Sequence, residues 1–166
     1  RDTGENLDHF EMRKETTYFK IGEYFLHDGS WELAVNAFTK AIEVDPNYPD
    51  AYLKRGIAYR NKGKFNAAIS DFTKASELDL YNPEVYYNRG NAYAANNNYD
   101  LAIADLSKAI EFNPNDGEVY FNRANAYYSE QKYDQAWDDV RKAEGLGYKV
   151  NARFLNRLST ASGKEK

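Results

Sequence analysis

Polar and apolar positions along this chain follow the period of an α-helix, in short bursts rather than one long run. Tyr86, Arg89, Gly90 and Tyr93 are spaced i, i+3, i+4, i+7 and mark one face of a helix. The run Asn96-Asn97-Asn98 breaks that pattern, as Gly29 and Gly63 break the corresponding ones upstream. Ala102, Leu106 and Ala109 then mark the inner face of a second helix. It ends at Asn113-Pro114-Asn115-Asp116, because a proline there cannot continue the ladder of hydrogen bonds. Gly90 and Ala102 carry one side-chain carbon or none, so two helices can approach closely there while Tyr93 and Leu106 fill the space beside them. The predicted element is a helical hairpin.

The hairpin repeats. YYNRGNAY, from Tyr86 to Tyr93, returns 34 residues later as YFNRANAY, from Tyr120 to Tyr127. A shift of 34 residues aligns Tyr18, Tyr52, Tyr86 and Tyr120, then Gly22, Gly56, Gly90 and Ala124, then Phe25, Tyr59, Tyr93 and Tyr127. In the second half of the period it aligns Ala34, Ala68, Ala102 and Ala136, then Phe38, Phe72, Leu106 and Val140, then Ala41, Ala75, Ala109 and Ala143. Pro46 and Pro114 share a slot that Leu80 and Tyr148 fill in the other two copies. Four units, 15–48, 49–82, 83–116 and 117–150, follow without insertion or deletion.

The spacing Tyr-x2-Arg-Gly-x2-Tyr, Ala-x3-Leu-x2-Ala, then Pro, is similar to the tetratricopeptide repeat pattern W-x2-L-G-x2-Y, A-x3-F and P. The resemblance covers about four fifths of the chain. It implies an all-α fold, a right-handed α-solenoid of four hairpins, since each hairpin buries little apolar surface alone. Arg in place of an apolar residue before the small one, and Leu80 and Tyr148 in place of proline, depart from the pattern. Residues 151–160, with Phe154 and Leu158 at the spacing of the first helix of a repeat, are expected to form a capping helix. Residues 1–14 form an N-terminal extension that either lengthens the first helix or stays mobile, and 161–166 a flexible tail.

The Arg departure is informative. Arg55, Arg89 and Arg123 occur in units that hold Asp71, Asp105 and Asp139 sixteen residues later, whereas the first unit has Ile21 and Ala37. Charge and countercharge are present or absent together, which predicts an ion pair between the two helices of each hairpin. Arg157 continues the series, and an Asp reaching the following Arg as well would make a ladder. A ligand-binding row of arginines is the rival reading; the forked guanidinium suits the structural one.

Composition narrows the function. A net charge of −4 and a pI near 5.3 argue against broad nucleic-acid binding, which needs a basic surface. Mean hydropathy of −0.84 reads as a soluble chain, and no apolar run approaches the roughly 18 residues of a membrane span, so no membrane insertion is expected. Without Cys, disulfides and thiolate metal sites are excluded. The chain opens on Arg1, compatible with a processed form, an expressed fragment or a piece of a larger protein, and its location is left open with the cytoplasm slightly favoured.

No active site is read. His9 and His27 lie 18 residues apart with no third ligand at zinc spacing. Gly63-Lys64 resembles part of a phosphate loop, but Phe65 stands where Ser or Thr is needed and no strand precedes it. Lys40 and Glu43, Lys74 and Glu77, Lys108 and Glu111 read as surface pairs. No cofactor and no metal are expected, and the chain is read as a non-enzymatic scaffold.

What remains is a groove. In the family it resembles, the first helix of each repeat lines the concave face, and ligands lie along it. Periodicity places Phe19, Leu53, Tyr87 and Phe121 in one stripe, Lys20, Lys54, Asn88 and Asn122 in a second, and Glu23, Ile57, Asn91 and Asn125 in a third, with Arg60 and Tyr128 one turn on. Asparagine offers a donor and an acceptor together and can pair with a peptide backbone regardless of side chain, while aromatics supply anchors. Chaperone-binding members grip a C-terminal carboxylate with Lys and Asn on the first helix, Asn on the second, and Lys and Arg on the third. Here Phe19 and Glu23, or Leu53 and Ile57, occupy the first pair and Glu84 or Glu118 stands at the third-helix Lys, so that clamp is not expected. Asp50, Glu84 and Glu118 suit helix N-termini instead. The expected partner is a peptide or protein segment; the alternative is a second copy of the chain, in a homodimer.

Overall fold

A computed structural model describes the backbone of residues 5–164 and the side chains of residues 14–164. The described residues are helical and form no strand, and the chain divides into two compact units between Leu80 and Tyr81. The first unit holds α1 (Glu5–Asp28), α2 (Trp31–Val44), α3 (Pro49–Asn61) and α4 (Phe65–Leu78). The second holds α5 (Pro83–Ala95), α6 (Tyr99–Phe112), α7 (Gly117–Ser129), α8 (Tyr133–Gly145) and α9 (Ala152–Ser162). Within each unit consecutive helices pack on one another, so α1–α2 and α3–α4 are hairpins with α3 also seated on α2, and α5–α6 and α7–α8 are hairpins with α7 seated on α6. Helix α1 takes in most of the residues expected to precede the first hairpin; the side chains of Leu7, His9, Phe10 and Met12 lie outside the described residues.

The turns inside the hairpins share one geometry. Gly29, Gly63, Asn97 and Gln131 occupy the same slot with φ of 80°, 73°, 61° and 59°. The next amide reaches back to the aromatic five residues earlier: Ser30 to the Phe25 carbonyl and Lys64 to the Tyr59 carbonyl at 2.9 Å, and likewise Asn98 to Tyr93 and Lys132 to Tyr127. This bond satisfies a carbonyl that the end of the helix leaves orphaned. At the opposite ends, Pro49 and Pro83 start α3 and α5, where a missing amide hydrogen costs nothing. Asn82 and Asp116 cap α5 and α7 by accepting from the amides of Glu84 and Glu118, both at 3.0 Å.

The small residue of each first helix meets one side chain of the second. A Cβ on Gly22 would lie 2.5 Å from Phe38 Cε1, and one on Gly56 2.6 Å from Phe72 Cε1. On Gly90 it would lie 2.9 Å from Leu106 Cγ. In the last hairpin Ala124 stands against the cluster holding Val140, both fully buried. Size on one helix is thus traded against size on its partner, Gly with Phe or Leu and Ala with Val, and the close packing of the interior is kept.

Helix α9 closes the second unit. Phe154 and Leu158 are buried among Tyr120, Val140 and Trp137, and the Trp137 indole N–H donates to Ser162 Oγ at 3.0 Å. Lys164 Nζ pairs with Asp134 at 2.5 Å. The cap therefore runs to Ser162, beyond the end expected at residue 160, because Trp137 gives Ser162 a partner; only 165–166 of the expected tail lie outside the described residues.

Candidate functional site

Three charge pairs join the helices of their hairpins. Arg55 Nε and Nη2 each donate to an Asp71 carboxylate oxygen at 2.8 Å. Arg89 meets Asp105 at 2.7 and 2.9 Å, and Arg123 meets Asp139 at 2.8 Å through both nitrogens. These are bidentate, and the carboxylates of Asp71, Asp105 and Asp139 are buried. Each guanidinium also lies against tyrosine rings, Arg55 between Tyr52 and Tyr59 and Arg123 between Tyr120 and Tyr127. Burial alone would lower the pKa of Arg55 and Arg123, but the hydrogen bond and charge of the paired aspartate outweigh it and raise both. The guanidinium side chains are 14–18% exposed and join the two helices of each hairpin.

Within the second unit the third nitrogen of Arg123 goes to a hydroxyl, where an Asp-to-next-Arg ladder was expected to use Asp105. Arg123 Nη1 donates to Ser107 Oγ at 2.8 Å rather than to Asp105, and Arg55 Nη1 reaches Thr39 Oγ1 at 3.1 Å in the same way. Both carboxylate oxygens of each aspartate accept from its own arginine, and in Arg55 and Arg123 the third guanidinium nitrogen turns to the hydroxyl one hairpin back. Arg157 stands over the Tyr128 ring at 4.8 Å instead of extending the series. Of the surface pairs, Lys74–Glu77 forms at 3.4 Å and Lys108–Glu111 at 2.8 Å, whereas Lys40 lies over the Tyr18 ring.

The residues expected to line a groove separate into two groups. In the first unit Leu53 is 1% exposed and is core, not groove. The larger aromatics at the same slot, Phe19, Tyr87 and Phe121, are half-buried. Phe19 is half-buried, 4.9 Å from the Tyr48 ring and 5.6 Å from the Phe38 ring. Lys20 is exposed, and Lys54, Ile57 and Arg60 are half-buried. In the second unit Asn88 is only 4% exposed and donates to the Glu84 carbonyl at 2.7 Å, so its amide closes on its own helix and cannot read a ligand.

The second unit does bring other expected residues together. Tyr87, Asn91, Phe121, Asn122, Asn125 and Tyr128 are all half-buried. The Tyr87 hydroxyl donates to Glu118 Oε1 at 2.7 Å and accepts from Asn122 Nδ2 at 3.3 Å, with Asn91 a further partner. Burial first, then the Glu118 carboxylate, push the Tyr87 pKa up to about 12. Asn125 Nδ2 donates to the Phe121 carbonyl at 3.0 Å, and Phe121 stacks on Tyr148 at 5.2 Å. Each amide spends one hydrogen on a neighbour, which sets its orientation and leaves further hydrogen-bonding capacity. Glu118 and Tyr148 were missed as members of this cluster. The separation of Tyr87 from Glu118, three residues short of one period, is the signal that neighbouring first helices bring these slots together.

Chemically this is a surface of aromatic rings, amides and one carboxylate. Among the described residues no group of His, Cys, Asp and Glu is placed to hold a metal ion; His27 is exposed and the side chain of His9 lies outside them. No described helix is long and apolar enough to cross a membrane.

Family profiles described as tetratricopeptide repeat match residues 83–116 and 106–138, and one described as TPR repeat matches 17–63 and 58–97. No curated protein sequence matches the chain. Among solved structures, a crystal structure of MamA protein is similar with a TM-score of 0.80 and 26% identity, over 90% of this chain and 83% of that one. The Arabidopsis OM64 TPR domain gives a TM-score of 0.69 at 25% identity, over 71% of this chain and 98% of that one. The first TPR of Spaghetti (RPAP3), bound to the HSP90 peptide SRMEEVD, gives 0.68 at 26% identity, over 70% of this chain and 95% of that one. With the 34-residue period, the Gly-to-Phe packing and the hairpins in order, the chain belongs to the tetratricopeptide repeat family.

Proposed function

We propose that this chain is a non-catalytic protein-interaction scaffold that holds an extended peptide segment against the first helices of its hairpins. The observation that carries the reading is the half-buried cluster of Tyr87, Asn91, Asn122, Asn125 and Tyr128 on α5 and α7. Its amides are oriented by single hydrogen bonds and keep capacity for a peptide N–H and C=O, beside rings that anchor apolar side chains. RPAP3 holds an acidic peptide in a fold of this family. Here Glu118 sits within the cluster, bonded to Tyr87, so an acidic segment is disfavoured and one with Lys, Arg or hydroxyl donors is favoured. In the first unit, taken by itself, Lys20 is exposed on α1, and Lys54, Ile57 and Arg60 are half-buried on α3, three of the four being basic.

The test is selection from a random peptide display library on the intact chain, followed by fluorescence anisotropy with the selected peptide. The variant Asn91→Ala/Asn122→Ala/Asn125→Ala is expected to melt as wild type does, within about 1 kcal/mol per lost bond. It is expected to bind the peptide at least about tenfold more weakly. SRMEEVD is expected to bind neither protein. Equal affinity of the selected peptide for both proteins would remove the site from this face.

A further inference from the structure

We propose that the segment bound in the second unit is anchored by an arginine, its guanidinium held between the Glu118 carboxylate and the Tyr148 ring at the start of α7. The proposal rests on the groove reading above and names the residue which that groove selects. Glu118 Oε1 accepts the Tyr87 hydroxyl at 2.7 Å, while among the described residues no hydrogen bond or ion pair engages Oε2. Glu118 is exposed, Tyr148 is half-buried, and together they line an open cleft of about 460 Å³. The Tyr148 ring stacks on Phe121 at 5.2 Å with 27° between the planes. Burial first, and then the neighbouring Glu118 charge, raise its pKa.

Two departures from the repeat meet at this cleft. Tyr148 and Gly117 fill slots that one period earlier hold Pro114 and Pro83. They depend on one another, since a Cβ on Gly117 would lie 2.7 Å from Tyr148 Cβ and 3.0 Å from the Ala143 carbonyl oxygen. Proline is a favourable first residue of a helix, and α3 and α5 begin with one. At α7 that residue is given up, and an aromatic ring sits against the first turn beside Glu118. Starting a helix requires neither change; a cleft with a carboxylate and a ring requires both.

The hydrogen bonds of the cluster settle what the cleft lacks. Asn122 donates to Tyr87, Tyr87 to Glu118, and Asn125 to the Phe121 carbonyl. They leave an excess of acceptors, the Oδ1 atoms of Asn122 and Asn125 and Glu118 Oε2. A fitting group brings donors and positive charge. The first turn of α7 does not oppose it, because Asp116 and Glu118 outweigh the roughly half charge of a helix N-terminus. The chain holds its own guanidinium groups in the same kind of place. Arg55, Arg89 and Arg123 each fork onto an aspartate while lying 5.5 to 6.0 Å from tyrosine ring centres. Glu118 and Tyr148 repeat the carboxylate and the ring without the arginine. A lysine ammonium would meet the charge but has no plane to lay on the ring. An arginine followed by acidic residues, as in SRMEEVD, brings repulsion from Glu118 along with its guanidinium.

Peptides selected from the random library on the intact chain are expected to share an arginine. One of them, remade with citrulline or with lysine at that position, is expected to bind at least about tenfold more weakly by fluorescence anisotropy. Citrulline keeps the plane and loses the charge; lysine keeps the charge and loses the plane. Glu118→Gln can still accept the Tyr87 hydroxyl and is expected to melt as wild type does. It should bind the arginine peptide at least about tenfold more weakly and no longer distinguish it from the citrulline form. Tyr148→Leu should weaken the arginine form and leave the lysine form unchanged. The proposal is overturned by selected peptides that lack arginine, or by wild-type affinity indifferent to citrulline or lysine. An arginine preference that survives Glu118→Gln, or an arginine form indifferent to Tyr148→Leu, overturns it as well. In each of these cases the groove reading stands if the triple asparagine variant still loses the peptide. Failure to select any peptide defeats both.

Discussion

Tyr87 donates its hydroxyl hydrogen to Glu118 across 2.7 Å, tying the middle of α5 to the first turn of α7 through residues 31 positions apart. Its pKa of about 12 lies above the value of about 10 for an unfolded tyrosine. The folded state therefore holds the proton more tightly, and the stabilisation is complete below about pH 10 and is lost as pH rises toward 12. The difference in urea midpoint between wild type and Tyr87→Phe should be constant up to about pH 10 and shrink above it. A difference that stays level to pH 12 would mean that the proton is not held by this contact.

The exchange of size between facing helices predicts a compensating pair. Gly90→Leu puts side-chain carbon where even a Cβ would lie 2.9 Å from Leu106 Cγ, and should cost ~1–3 kcal/mol or more. Gly90→Ala should be milder, and adding Leu106→Val should recover part of the loss, since Ala124 and Val140 already coexist in the last hairpin. Strictly additive losses in a double-mutant cycle would count against the contact.

Removing one member of a charge pair should hurt more than removing both. Arg123→Met leaves the Asp139 carboxylate buried beside apolar groups and should cost roughly 2–4 kcal/mol, while Arg123→Met/Asp139→Leu should be less destabilised than the single variant. Chemical denaturation at neutral pH measures both. A double variant weaker than Arg123→Met would show that the pair contributes more than it costs to desolvate.

Gln131 holds a left-handed backbone, φ 59°, in the slot where Gly29 and Gly63 stand. Gln131→Gly removes a conformational cost of ~1 kcal/mol and loses part of it to chain entropy, for a net gain of about 0.5 kcal/mol. A lowered melting temperature would show that the glutamine side chain contributes to the fold.

The repeat, the hairpins and the Arg–Asp pairs were legible because each is written several times in the same register, so one copy without the arginine and the aspartate acts as a control for the others. The site was less legible. Tyr87, Phe121 and Leu53 share a slot, yet only Leu53 sinks into the core, because periodicity reports direction and not reach. Asn88 and Asn122 likewise share a slot but differ in burial, one folding onto the Glu84 carbonyl and the other reaching Tyr87. The extent of α9 was hidden for a related reason: Ser162 is held by the Trp137 indole, a contact 25 residues away that no local pattern encodes.

Arg55 and Arg123 each grasp an aspartate in their own hairpin and a hydroxyl in the one before, Thr39 and Ser107. A hairpin copied whole thus brings the acceptor for its successor and the donor for its predecessor, and can be spliced in without redesigning either neighbour. Lengthening by one period is cheap in mutational steps, whereas any other insertion separates donor from acceptor. In the fourth hairpin Arg141 takes the slot of Thr39 and Ser107, and Arg157, one period after Arg123, stands over the Tyr128 ring instead of a hydroxyl.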